Sequence, residues 1–329
     1  MNWESLDWEI LDRLREKFIA GPAGEGPYWH TITDLECYDF TYGERIGWKW
    51  DAVLRELLAR QWTPPPNATL LDWGCGSGIA SRRVIESFGA THFARLVVHD
   101  HSALAMDFTE HRARLAFSEL PVERADYRTL EGDGAIDILV VSHVLNELDD
   151  LARAQLAALC ARAQTILWVE PGTHDGSRLL GSWRERLRGA GMKVIAPCPH
   201  QGACGVLAPG NERHWCHFFA DPVPNIYADS DWVKFGQRAG IDLRSLPYSF
   251  LVLDRRPWET PAGFSRIIGE ARHYKGYAKL FNCDASGVAE LMLQKRDAPE
   301  LFKALKHAHE TPLQSWSHVN GRIVRIETV

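Results

Sequence analysis

Two sets of residues in this chain have the types and spacing to do chemistry. The first is Ala68-Thr69-Leu70-Leu71-Asp72-Trp73-Gly74-Cys75-Gly76-Ser77-Gly78, where an apolar run ends at an acid and glycines follow at every second position. A strand that hands over to a helix through such a turn can cradle a nucleotide-like ligand. Glycine allows the tight turn and leaves no Cβ to hold a ligand off the backbone. A helical pattern from Ile79 onward aims its free N–H groups and positive dipole end at the same place. The second set is Pro197-Cys198-Pro199-His200-Gln201-Gly202-Ala203-Cys204, then Trp215-Cys216-His217, then Cys283. Thiolates with prolines nearby are candidate metal ligands.

The glycine spacing narrows the first ligand. A dinucleotide turn needs G-x-G-x-x-G, and Ile79 stands in the place of the third glycine. The pattern D-x-G-x-G-x-G instead resembles motif I of the class I S-adenosylmethionine (SAM) methyltransferases, which implies SAM held around Asp72, Gly74, Gly76 and Gly78. A plain glycine-rich connection is the other reading. Asp100 ends the next apolar run, where a carboxylate can accept from ribose hydroxyls. The same resemblance puts Asp126 near the adenine amino group; an exposed acid at a strand end is the alternative. It also makes His143-Val144-Leu145-Asn146-Glu147-Leu148 the reaction-facing loop, with His143 and Asn146 as cofactor contacts.

These residues need a scaffold to position them. Leu6, Ile10, Leu14 and Phe18 give residues 3–20 a helical period, and Ile46, Trp50, Val53, Leu54 and Leu57 do the same for 43–60. Gly and Pro break the chain at 21–27, and three prolines at 64–66 precede the first strand. Helices at 79–88, 102–118 and 149–163 then alternate with strands at 95–100, 124–126, 135–142 and 165–170. That rhythm predicts a doubly wound, mostly parallel α/β sheet of Rossmann-like form. Asp100, Asp126 and the 142–147 loop then all lie at carboxyl ends of strands, where open α/β sheets bind ligands. The loop after the 135–142 strand holds neither an Asn/Asp-Pro-Pro-aromatic motif nor a cysteine nucleophile, and it names no catalytic residue. Pro197-Cys198 follows the fifth strand.

The chain has 329 residues and seven cysteines, and its net charge is −6. Its N-terminus is acidic and has neither a signal h-region nor Arg-rich transit character, and no apolar run approaches membrane length. The expectation is a monomeric cytoplasmic protein, of bacterial origin, without a membrane partner. An odd cysteine count argues against a disulfide framework. The spacing C-x5-C-x11-C-x66-C is neither a zinc ribbon nor a ferredoxin run. Zinc, with His200, His214 or His217 as substitutes, an iron–sulfur cluster, and four unrelated buried thiols all remain open on spacing alone. Charge is uneven: residues 231–329 carry 15 Lys+Arg against 11 Asp+Glu, leaving 22 against 32 for residues 1–230. The C-terminal third is therefore the likelier face for a polyanion.

Taken together, Pro-Cys-Pro-His-x3-Cys, Trp-Cys-His-Phe and a late cysteine, on a chain whose fourth strand runs into Ser-His-Val-Leu-Asn-Glu-Leu, resemble the methyltransferase-like assembly-factor family of the small ribosomal subunit. That family is known from mitochondria and bacteria, and the resemblance covers about residues 40–300. It implies a [4Fe–4S] cluster on Cys198, Cys204, Cys216 and Cys283, in preference to zinc. It also implies SAM as a cofactor, and small-subunit ribosomal RNA as partner during ribosome assembly or translation. Arg266, Arg272, Lys275 and Lys279, interleaved with Tyr274 and Tyr277, become the RNA contacts; a solvated edge is the reading without the resemblance.

The expected architecture is an N-terminal helical cap at 1–64, a SAM-binding domain at 65–255 with its cysteine-rich loop at 197–217, and a basic, β-rich, cysteine-tied extension at 256–329. Two rivals stand beside the leading function. One is a conventional SAM-dependent RNA or small-molecule methyltransferase with structural zinc. The other is a non-catalytic assembly factor whose SAM pocket is vestigial.

Overall fold

The computed structural model describes residues 1–20, 28–125, 135–260, 262–307 and 313–327. Its packing forms two units, Met1–Val169 with Asp221–Leu246, and Glu170–Ala220 with Pro247–Val329.

The first unit opens with α1 (Trp8–Ala20) and α2 (Ile32–Tyr38). Thr31 caps α2: its hydroxyl accepts from the Asp34 amide at 3.3 Å, and the Asp34 carboxylate accepts from the His30 amide at 2.7 Å. A π-helical turn, Asp39–Gly43, leads into α3 (Glu44–Ala59). Then come β1 (Ala68–Trp73), α4 (Ile79–Phe88), β2 (Phe93–His99), α5 (Ala103–Ala116), β3 (Val122–Arg124), β4 (Ile136–Ser142), α6 (Asp150–Arg162) and β5 (Ala163–Pro171).

The strands stand in the order β3-β2-β1-β4-β5, all parallel. Ile138, Leu139, Val140 and Val141 of β4 are fully buried, as a strand covered on both faces requires. This is a doubly wound, Rossmann-like arrangement. It places the ends of β1, β2 and β4 side by side at one edge of the sheet.

Beyond β5 the chain forms α7 (His174–Gly189), β6 (Lys193–Ala196) and β7 (Phe218–Phe219), then returns to the first unit as α8 (Ser230–Ala239). Arg15 Nε donates to the Ala239 carbonyl at 2.6 Å, and Arg238 pairs with Asp12 at 2.7 Å, so α8 seats on α1. The cysteine loop therefore follows β6; the sixth strand intervenes where the sequence alone suggested a direct exit from the fifth.

In the second unit, β8 (Pro247–Asp254) pairs antiparallel with both β6 and β7. The β-rich C-terminal part is a closed barrel of β9 (Phe264–His273), β10 (Tyr277–Asp284), β11 (Gly287–Gln294), β12 (Leu313–Val319) and β13 (Arg322–Glu327), ordered β10-β11-β13-β12-β9. A short helix, α9 (Pro299–Ala304), lies between β11 and β12 in sequence. Ala278, Leu280, Leu291, Leu293, Phe302, Trp316 and Ile323 make the barrel core. Among the described residues no helix is long and apolar enough to cross a membrane.

Candidate functional site

The glycine turn is tied to the neighbouring strand at both edges. The Gly74 and Cys75 amides donate to the His99 carbonyl at 2.8 and 3.0 Å, and the Gly76 amide donates to Asp100 Oδ2 at 3.0 Å. Asp100 Oδ1 accepts from the Ser102 amide at 2.9 Å. Each carboxylate oxygen has further accepting capacity, which is what a vicinal diol needs. Gly76 has φ +52° and a Cβ there would meet nothing within 4 Å. The space above it is open, and a side chain would project into that space. Gly78 is different: a Cβ would lie 2.4 Å from Thr109 Cγ2, so its role is close packing against α5.

Asp72 is buried at 1 % exposure and accepts from Ser81 Oγ at 2.5 Å. Burial is the chief cause that moves its carboxyl up to about 6; the Ser81 bond opposes the shift and Asp100 adds to it. Asp72 thus fixes the start of α4 beneath the turn. Arg82 braces the turn from the side, donating to the Ser77 carbonyl at 2.6 Å and to Asp39 at 2.6 Å. Among the described residues, the Ser77 hydroxyl, the Trp73 indole N–H and the Tyr28 hydroxyl are buried without a hydrogen-bond partner.

The loop after β4 divides in role. His143 has φ +56°, and its ring is held by protein: Nε2 lies 3.2 Å from Lys49 Nζ and Nδ1 lies 3.4 Å from Ser142 Oγ. Burial, with Lys49 beside it, holds this imidazole well below its ordinary pKa. It is neutral, accepting from the ammonium. Asn146 is exposed. Asp126 lies outside the described residues. The residue that sequence reasoning passed over is Glu147. It too is exposed, yet desolvation by the surrounding protein and then Asp100 push its carboxyl up to about 7. After burial, Glu147 is the largest contributor to the raised pKa of both Tyr28 and Tyr38. Asp100, Glu147, Tyr28 and Tyr38 therefore share one electrostatic neighbourhood.

The second unit gathers the four cysteines. Arg184 of α7, 3 % exposed, donates from Nε to Cys198 Sγ at 3.1 Å and from Nη2 to the Gly202 carbonyl at 2.9 Å. It also pairs with Glu185, whose carboxylate accepts from the Cys204 amide at 3.2 Å. The Gly202 amide donates to His200 Nδ1 at 3.1 Å, so the ring proton sits on Nε2, which faces Cys283 Sγ at 3.6 Å. Burial raises the thiols of Cys204, Cys216 and Cys283, and in each case neighbouring cysteines of the set add to the rise. Four sulfurs thus lie within electrostatic reach of one another beside two buried guanidinia. Among the described residues, however, no three His, Cys, Asp or Glu side chains are arranged to hold a single metal ion.

The second of those guanidinia corrects an expectation. Arg266 is 3 % exposed, donates to the Pro197 carbonyl at 3.2 Å, and stacks 3.9 Å above the Phe218 ring. It packs the base of the cysteine loop and presents no surface to RNA. Arg272 and Lys275 are exposed and Lys279 is half-buried. Arg272 and Lys279 both pair with Glu290.

Residues 49–310 match the family model described as mitochondrial small ribosomal subunit Rsm22. No curated protein matches the sequence. Among solved structures, the magnesium protoporphyrin IX methyltransferase of Synechocystis PCC 6803 with bound SAM is 14 % identical, with a TM-score of 0.40, over 76 % of this chain and 98 % of that one. A Thermoplasma acidophilum protein is 12 % identical at a TM-score of 0.35, over 62 % and 84 %. Precorrin 8w decarboxylase of Methanobacterium thermoautotrophicum is 20 % identical at a TM-score of 0.30, over 40 % and 67 %. Likenesses this distant carry no information about ligand or substrate.

Proposed function

Because the chain belongs to the mitochondrial small ribosomal subunit Rsm22 family, we propose that it is a SAM-binding, methyltransferase-like protein of the small ribosomal subunit that binds or modifies its RNA during assembly or translation. The observation that carries the SAM part is the open space over Gly76 beside the Asp100 carboxylate. Asp100 would take the ribose hydroxyls, and the backbone at Gly76 would lie against the ligand. SAM supplies an electrophilic methyl group, and a nucleophile that bears a proton must lose it as the new bond forms. Glu147, with its carboxyl poised at about 7, is the group at this edge suited to receive that proton.

A [4Fe–4S] cluster on Cys198, Cys204, Cys216 and Cys283 is the second part of the proposal. Four thiols that crowd one another must lose protons together, and a bound cluster makes that favourable. Arg184 would offset its negative charge and donate to one ligand sulfur, as hydrogen bonds to cluster sulfurs do. A structural zinc is the competing occupant. Anaerobic purification followed by iron, sulfide and zinc analysis decides between them.

Binding without methyl transfer is a second reading, favoured by the loop after β4. That loop holds no cysteine and no Asn/Asp-Pro-Pro-aromatic motif, and the His143 ring faces Lys49 and Ser142. A methyl-transfer assay on small-subunit RNA with labelled SAM separates the two.

A further inference from the structure

The barrel has a connectivity with consequences. Numbered from β9, its strands close in the order one-two-three-five-four; the third and fifth pair in parallel through Met292 and Arg322, and α9 falls between the third and fourth. That is the arrangement of an oligonucleotide/oligosaccharide-binding barrel, whose second and third strands and two flanking loops form a ligand face. A fold does not name a ligand, so the residues on that face must.

Alternate residues of β10 and β11 point inward as core, so Tyr277, Lys279, Met292 and Gln294 point outward. Across four neighbouring strands the register sets Arg272, Lys279, Met292 and Arg322 in one outward row. Three of these four carry positive charge. At one end of the row the loop between β9 and β10 presents Tyr274, 43 % exposed, stacked on Tyr277 with centroids 4.6 Å apart and planes at 12°. Lys275 stands at its tip.

Both loops that border the face are hydrogen-bonded to β11 or to the residue that directly follows it. Lys295 N donates to the Gly276 carbonyl at 3.0 Å, and Met292 N donates to the Gly321 carbonyl at 2.8 Å. The face is therefore held in place from both sides. Glu290 pairs with Arg272 and Lys279, and Asp297 pairs with Arg322. Exposed pairs of this kind contribute little and yield readily to phosphate.

The other end of the same strands is covered. His214 stacks on Phe281 at 4.2 Å, and Gly205 sits so close to Gly287 and Val288 that a Cβ would come within 2.9 Å of backbone. What stays open is the Tyr277–Lys279 end of β10 together with the turn that carries Tyr274 and Lys275. That stretch suits a short run of roughly two stacked bases with their phosphates.

We propose that this face, Tyr274–Tyr277 with the Arg272–Lys279–Arg322 row, binds a short unpaired stretch of RNA: bases stack on the tyrosine pair and phosphates meet the cations. The inference rests on the RNA reading above and narrows it. A duplex already has its base faces stacked and offers none to the tyrosines, so single-stranded RNA is the committed ligand.

The test is fluorescence anisotropy of the full chain with labelled oligouridylate and with an RNA duplex of equal length, alongside cosedimentation with small ribosomal subunits. The expected result is preferential binding of the single strand. Tyr274→Ala with Tyr277→Ala should weaken it at least about tenfold, and the double Phe variant should restore it, since stacking needs the ring and not the hydroxyl. Lys279→Ala should lower the log–log salt slope by about one. Equal affinity for duplex, or a double Ala variant that binds like wild type while wild type cosediments with subunits, overturns the barrel site and leaves the RNA reading standing. Failure of wild type to bind either the subunits or the oligonucleotide overturns both.

Discussion

Asp100 accepts a hydrogen bond from the Gly76 amide at 3.0 Å, so the acid at the end of β2 and the turn after β1 are one piece of structure. The carboxylate that would hold a ribose is positioned by the very backbone that would lie against the ligand.

Glu147 gives that site a pH dependence. Its folded carboxyl is raised to about 7, so it is mostly protonated below that value and ionised above it. SAM carries a positive sulfonium, and a new negative charge beside Asp100 attracts it. Affinity for SAM should therefore rise as pH passes upward through 7, and Glu147→Gln should flatten the profile. Calorimetric titrations at pH 6 and pH 8 would show this, and equal affinities in wild type would reject it.

Asp72 makes a stability prediction of the opposite sense. Its folded pKa, about 6, lies above its ordinary value of 3.8. The folded state thus holds a proton that the unfolded state has released between those values, and its contribution to stability falls as pH rises through that window. Asp72→Asn should remove this component of the pH dependence of chemical denaturation. A variant with the wild-type slope between pH 4 and pH 6 would count against the assignment.

How much of this was legible beforehand differs from residue to residue. The glycine turn and Asp100 could be read because a strand, a turn and a helix are local, and their glycines are demanded by backbone geometry. The capping pair Thr31 and Asp34, which starts α2, is likewise a local signal, three residues apart. Arg82 and Asp39 could not be paired from sequence, because 43 residues and a π-helical turn separate them. Arg266 looked like one more cation of a basic stretch. Only its pairing on β9 with Cys283 of β10 turns it toward the cysteine loop, where it is buried over the Phe218 ring. The barrel was visible as β-rich composition, but its closure depends on the parallel meeting of β11 and β13, which no local pattern announces.

Arg266 accordingly should behave as a packing residue. Arg266→Ala removes a buried guanidinium that bonds Pro197 and covers an aromatic ring, and it should destabilise the protein by about 2 kcal/mol. The salt dependence of RNA binding should be unchanged. A variant with normal melting and a flatter salt slope would return Arg266 to the RNA surface.

For the cysteines, anaerobically purified protein should be brown and contain iron and acid-labile sulfide in equal amounts. Cys283→Ser should bleach it and lower the melting temperature, because the binding energy of such a cluster would also be folding energy. Colourless protein with stoichiometric zinc would reject the cluster.

The most direct test of the whole account is a calorimetric titration of SAM and S-adenosylhomocysteine into wild-type protein and into Gly76→Arg. The open space over Gly76 and the carboxylate beside it predict one-to-one binding of both ligands to wild type. They predict no binding to a variant whose arginine projects into that space and must adopt a positive φ. No heat with either ligand in wild type, or undiminished affinity in Gly76→Arg, would contradict it.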